Sequence, residues 1–130
     1  MRVPKGTLVI VADGGGARVL RNVGAAFEPE LVQETVLTPQ DLNDDGPAGS
    51  IPPETRGEEI DEATFAKQLA QWINRQALSD GFDGLVLMAD PQTLGQIRPS
   101  LHKSVHDRLI GEVAKTLTNA PLGDIVRALG

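Results

Sequence analysis

A chain of 130 residues is long enough for one domain with a real core. It contains no cysteine, three phenylalanines, one tryptophan and no tyrosine, so its core must be aliphatic, and a disulfide framework, a Cys-type zinc site or a thiol nucleophile is excluded. The net charge of −6 is unevenly placed: residues 28–62 hold eleven of the 18 acids against one base, Arg56, which leaves that segment at −10 and the rest at +4. Such a segment repels nucleic-acid phosphates over ~8 Å at physiological salt.

No apolar run approaches the ~20 residues of a membrane span. Asp13 and three glycines interrupt the first twenty residues, where a signal peptide needs an apolar stretch. With cysteine absent, a cytoplasmic location is expected.

In chain order, Thr7 to Ala12 is continuously apolar and reads as a central strand covered on both faces. Ala17 to Val23 and Glu30 to Leu37 alternate more and read as flanking antiparallel strands, joined by turns at Gly14–Gly16 and Gly24–Pro29. Residues 38–60 hold four prolines, three glycines and many acids, and read as a long loop. Asp61 caps a helix whose stripe is Phe65, Leu69, Trp72, Ile73 and Ala77. Asp80-Gly81 ends it, with the glycine expected at the left-handed position.

Leu85 to Ala89 is a second unbroken apolar strand. Asp90-Pro91 is a helix cap followed by proline at the first helical position. That short helix reaches about Arg98, Pro99 restarts the chain, and another turn or two reaches Asp107. Leu109 to Leu117 reads as a half-exposed edge strand, and Asn119-Ala120-Pro121 opens a final helix to Leu129.

The order β-β-β-α-β-α-β-α defines the expected fold: one α/β domain spanning residues 1–130, with a five-stranded mixed sheet of order 3-2-1-4-5. The first three strands form a meander, and the later two arrive by crossovers that make parallel neighbours. This is the layout of ribonuclease-H-like domains.

Candidate sites follow from residue type and placement. Asp13, Gly14 and Gly15 resemble a phosphate loop, but a strand follows where G-x-G-x-x-G needs a helix, and the P-loop lysine is missing. A hairpin turn with Asp13 bonding local N–H groups is the preferred reading. Asp13 and Asp90 fall at the same end of adjacent parallel strands ~4.8 Å apart. Two carboxylates so placed are candidate Mg²⁺ ligands, with Glu62 and Asp124 available as further acids.

"DLNDDG" fits the first half of a calcium loop through Asp41, Asn43 and Asp45, but Pro52 stands where a bidentate glutamate is needed. His102 and His106 are one helical turn apart, with no third zinc ligand of evident spacing. Arg98, Lys103 and Arg108 make the most basic stretch, a candidate phosphate-facing patch or simply a charged helix face. Ser79, Ser100 and Ser104 lack a nucleophile-elbow setting. No cofactor is expected; Mg²⁺ and Ca²⁺ are the candidates if one is bound.

"VIVADGGGARVLRN", "ATFAKQLAQWIN", "GLVLMADPQTLGQIRPSL" and "EVAKTLTNAPLGDIVRAL" together resemble the bacterial host-attachment protein family, over nearly the whole chain and in the family's order. The family's middle segment has an Arg- and Gly-containing loop, and this chain has "DLNDDGPAGSIPPETRGEE" there instead. The family is similar in fold to the middle domain of the eukaryotic and archaeal class-one peptide-chain release factor and of Pelota. Those factors carry Gly-Gly-Gln after the third strand, whereas residues 38–60 have Gln40 as their only glutamine. The resemblance therefore implies the fold and not peptide release.

The expected function is a non-catalytic cytoplasmic interaction module with a protein partner. A ribonuclease-H-like metal-dependent nuclease or phosphodiesterase and a ribosome- or tRNA-associated factor without peptide-release activity are the alternatives. A second copy of the chain is a further candidate partner, and no membrane is expected.

Overall fold

The computed structural model describes residues 1–44 and 62–130. Five strands form one sheet of order β3-β2-β1-β4-β5. They are β1 (Leu8–Asp13), β2 (Gly16–Asn22), β3 (Leu31–Leu37), β4 (Leu85–Met88) and β5 (Leu109–Val113). The pairs β1–β2 and β2–β3 are antiparallel, and β1–β4 and β4–β5 are parallel. The expected strand order is therefore borne out.

The two aliphatic runs do lie in the middle. Leu8 to Ala12 and Leu85 to Ala89 are all buried. Their side chains alternate between the faces, so both faces need a cover. Leu8, Ile10, Leu85 and Leu87 join one core, with Phe65, Leu69 and Ile73 of α2 (Glu62–Leu78) and Leu94 and Ile97 of α3 (Pro91–Ile97). Val105 of α4 (Lys103–His106) closes that side. Val9, Val11, Val86 and Met88 join a second core under Ile125 and Leu129 of α5 (Leu122–Leu129). Each such side chain contributes roughly 1.5–3 kcal/mol by leaving water.

Four local features differ from expectation. First, part of the 38–60 stretch is helical: α1 spans Pro39–Asp44. Thr38 Oγ1 accepts from Asp41 N, while Thr38 N donates back to Asp41 Oδ2 at 3.0 Å. This reciprocal capping box, with proline at the next position, starts the helix. Residues 45–60 and the expected Asp61 cap lie outside the described residues.

Second, α2 ends with Asp80, not Gly81, in the left-handed region, at φ 58°. Gly81 N donates to Gln76 O and Asp80 N to Ala77 O, the paired bonds of a Schellman ending. Glycine is needed at 81 for another reason: an added Cβ would meet Gln76 Oε1 at 2.8 Å and Gln76 O at 3.0 Å.

Third, β5 stops at Val113 rather than Leu117. Leu117 still packs on the second core, but from a loop. Fourth, β3 is wet on both faces between Leu31 and Leu37. Its pairing with β2 shifts register between Val19 and Leu20, which leaves Glu34 as the extra residue of a bulge, and the strand forms one rim of the sheet.

Candidate functional site at the carboxyl edge of the sheet

β1 ends at Asp13, and the chain reverses through Gly14-Gly15 so that Asp13 pairs with Gly16. Asp13 Oδ1 accepts from Gly15 N at 2.7 Å and from Gly16 N at 2.9 Å. The expected turn is thus present, closed by its own aspartate. Gly14 lies against the Glu62 side chain at the start of α2, which would have to swing aside to admit a Cβ there.

The second carboxylate oxygen reaches across the molecule. Asp13 Oδ2 accepts from Thr118 Oγ1 at 2.7 Å. Arg18, on β2, holds the same distant loop: its Nη1 donates to Ala120 O at 2.7 Å and Thr118 O at 3.3 Å, and its Nε donates to Gln33 Oε1 at 2.8 Å. These bonds fasten the loop between β5 and α5 onto the β1–β2 turn. Between them lies an open cleft of about 380 Å³, lined by Asp13, Arg18, Val36, Thr38, Thr118 and Asn119 among others. That is within the size range of small-molecule sites.

Asp90 follows β4 at the same end of the sheet. The β1–β4 register ends with Val11 beside Met88, two residues before Asp13 on one strand and Asp90 on the other. Asp90 caps α3, accepting from Thr93 N at 3.1 Å and Thr93 Oγ1 at 2.7 Å. The Thr93 hydroxyl holds its carboxyl below the ordinary aspartate range; partial desolvation opposes this, and backbone N–H groups add to the lowering. As a metal pair the two carboxylates fit incompletely. All four oxygens already accept hydrogen bonds, and among the described residues no group of three or more His, Asp or Glu side chains converges.

The other sequence-predicted residues are placed apart from this edge. Asp41 closes the α1 capping box and Asn43 lies within that helix, so helical backbone runs where a calcium loop would bend; Asp45 is outside the described residues. His102 and His106 are both exposed. The three basic residues do not form one free patch. Arg98 grips Glu112 in a bidentate pair. Lys103 pairs with Asp107 at 3.1 Å. Arg108 donates to Ala77 O and Phe82 O, both at 2.9 Å, pairs with Asp80 and lies over the Phe82 ring.

Sequence reasoning missed Arg18 and Thr118. An arginine alternating in a strand and a threonine in a loop carry no local sign of meeting. The capping box at Thr38 and Asp41 was missed as well, although a threonine followed three residues later by an acid is a helix-start signal.

A buried central pair of parallel strands, a meander on one side and a hydrogen-bonded turn at their carboxyl end define a small α/β domain with a mixed five-stranded sheet. The chain belongs to bacterial archaeo-eukaryotic release factor family 12, whose model matches residues 6–129. The release-factor kinship expected from the sequence is borne out at that level. No curated protein matches the chain. Among the described residues, no helix is long and apolar enough to cross a membrane.

Proposed function

We propose that this chain is a non-catalytic interaction module related to the release-factor middle domain, with that domain's ribonuclease-H-like layout, acting in the cytoplasm on a protein partner. One observation carries the reading. The polar groups gathered at the carboxyl edge are engaged in holding the chain itself: Asp13 on the Gly15 and Gly16 amides and the Thr118 hydroxyl, and Arg18 on the Thr118 and Ala120 carbonyls. Such a network supports a rigid platform, and α1 leads from it toward the acidic residues 45–60. The host-attachment role implied by the resemblance enters as an effect exerted through that partner.

The test is affinity capture from the native cell, with Asp45, Glu54, Glu58 and Glu59 intact or replaced by their amides. The expected result is one protein partner retained only by the acidic form. Equal retention by both forms would overturn the assignment of the acidic segment as the contact.

A second reading has one specific observation in its favour: the parallel pairing that ends at Val11 and Met88 brings Asp13 and Asp90 to the same end of the sheet. It is a metal-dependent nuclease. It predicts Mg²⁺-dependent cleavage of single- or double-stranded RNA that Asp90→Asn abolishes; cleavage unchanged in that variant removes it.

A further inference from the structure

The connection from β2 to β3 is built more firmly than a connection needs. Asn22 is fully buried. Its Oδ1 accepts from Gly24 N and Glu30 N, both at 2.9 Å, and its Nδ2 donates to Val3 O at 2.8 Å. Val23 N donates to Glu30 O, and Val3 N donates to Ala26 O. Ala25 and Glu28 form an isolated bridge closed by Glu28 N to Ala25 O, which makes Ala26-Phe27 the apex of a β-turn. Gly24 admits no side chain, since a Cβ would stand 2.6 Å from Glu28 O.

This scaffold displays an aromatic ring to water. Of the four aromatic residues, Phe65 and Phe82 are buried and Trp72 packs on the core, but Phe27 is 78% exposed. Val23, at the start of the same connection, is 42% exposed. A fixed apex cannot swing the ring inward, so Phe27 contributes little to the folded state. A preorganised aromatic anchor, however, loses little entropy when a partner covers it.

The surrounding charge selects the partner. Glu28 and Glu30, the charged residues nearest Phe27 in the chain, are exposed and have no ion-pair partner among the described residues; Arg2 and Lys5 are exposed on the adjoining amino-terminal segment. Two acids repel an anionic lipid surface or a phosphate backbone, and they repel the same tip on a second copy.

We propose that Phe27, with Val23, docks into an apolar pocket of a protein partner whose rim is basic. The tip is at the amino end of β1, opposite the Asp13 turn, and its test leaves residues 45–60 unaltered, so the two assignments fail separately.

The experiment places a photoreactive phenylalanine analogue at position 27 of the full chain in the native cell. The same analogue at position 78, where Leu78 is 69% exposed at the end of α2, is the control. The expected result is a protein adduct at 27 that is absent at 78. With that partner purified, Phe27→Ala weakens binding about 10- to 100-fold at an unchanged unfolding midpoint. Glu28→Gln with Glu30→Gln slows association and flattens its salt dependence. No adduct at 27, an adduct only to a second copy, the same adducts at 27 and 78, or binding by Phe27→Ala within about twofold of the parent would each overturn the proposal.

Discussion

Thr118 and Asp13, 105 residues apart in the chain, are joined by a 2.7 Å hydrogen bond in which the threonine hydroxyl donates to the carboxylate. It is the shortest of the contacts that fasten the β5–α5 loop to the β1–β2 turn, equalled by Arg18 on Ala120 O. A part-buried bond to a charged acceptor contributes more than a neutral one. Thr118→Val is expected to cost about 1–2 kcal/mol in urea unfolding. A double-mutant cycle with Asp13→Asn is expected to show coupling of at least ~0.5 kcal/mol. Strict additivity would show that the pair contributes nothing jointly.

Arg108 and Arg98 separate a structural arginine from a surface one. Arg108 satisfies two carbonyls near the end of α2, so Arg108→Ala leaves both without that partner and is expected to cost about 2–3 kcal/mol. Arg98 is exposed on its Glu112 pair, and Arg98→Gln should shift the unfolding midpoint little, as exposed pairs do. Equal losses from the two substitutions, read by thermal unfolding, would contradict these assignments.

Asp80 holds a left-handed conformation that glycine adopts without strain. Asp80→Gly is expected to stabilise by up to ~1 kcal/mol, less the small contribution of its exposed pair with Arg108. Gly81→Ala should go the other way, because its new methyl meets the Gln76 carbonyl. Chemical denaturation of both variants checks the sign, and a stabilising Gly81→Ala would refute the assigned geometry.

Asp90 gives a pH signature. Its folded-state pKa is lowered from 3.8, chiefly by the Thr93 hydroxyl. A lowered acid contributes stability above its unfolded pKa and loses it as pH falls through the folded value. The parent is therefore expected to exceed Asp90→Ala by ~1 kcal/mol near neutrality. The gap should narrow as the solution is acidified below 3.8. A gap constant down to the acid transition would mean that the cap does not titrate there.

The architecture was legible because it rests on two unmistakable runs, Leu8–Ala12 and Leu85–Ala89. Uninterrupted aliphatic side chains need cover on both faces, and that fixes both strands in the middle of the sheet. The Asp13 turn was legible too, because an aspartate bonding N–H groups two and three residues ahead is a local device. What escaped was non-local or competed with a stronger local habit. Leu117 continues the alternation of β5, yet it reaches the second core from a loop. Glycine is the usual left-handed residue, but at 81 the close approach of Gln76 claims it and Asp80 takes the strained position. Thr118 meets Asp13 across β2 to β5 of the sequence, so nothing near either residue marks the contact.

The central pairing of Leu8 with Leu85 also has a consequence for biosynthesis. When β1, β2 and β3 have emerged, one edge of β1 is still open, and its buried-type side chains have no partner strand. At ~5–20 residues per second, β4 is complete roughly 2.5–10 s later. During that interval the nascent chain presents an unpaired aliphatic strand edge, the kind of surface through which unfinished chains aggregate.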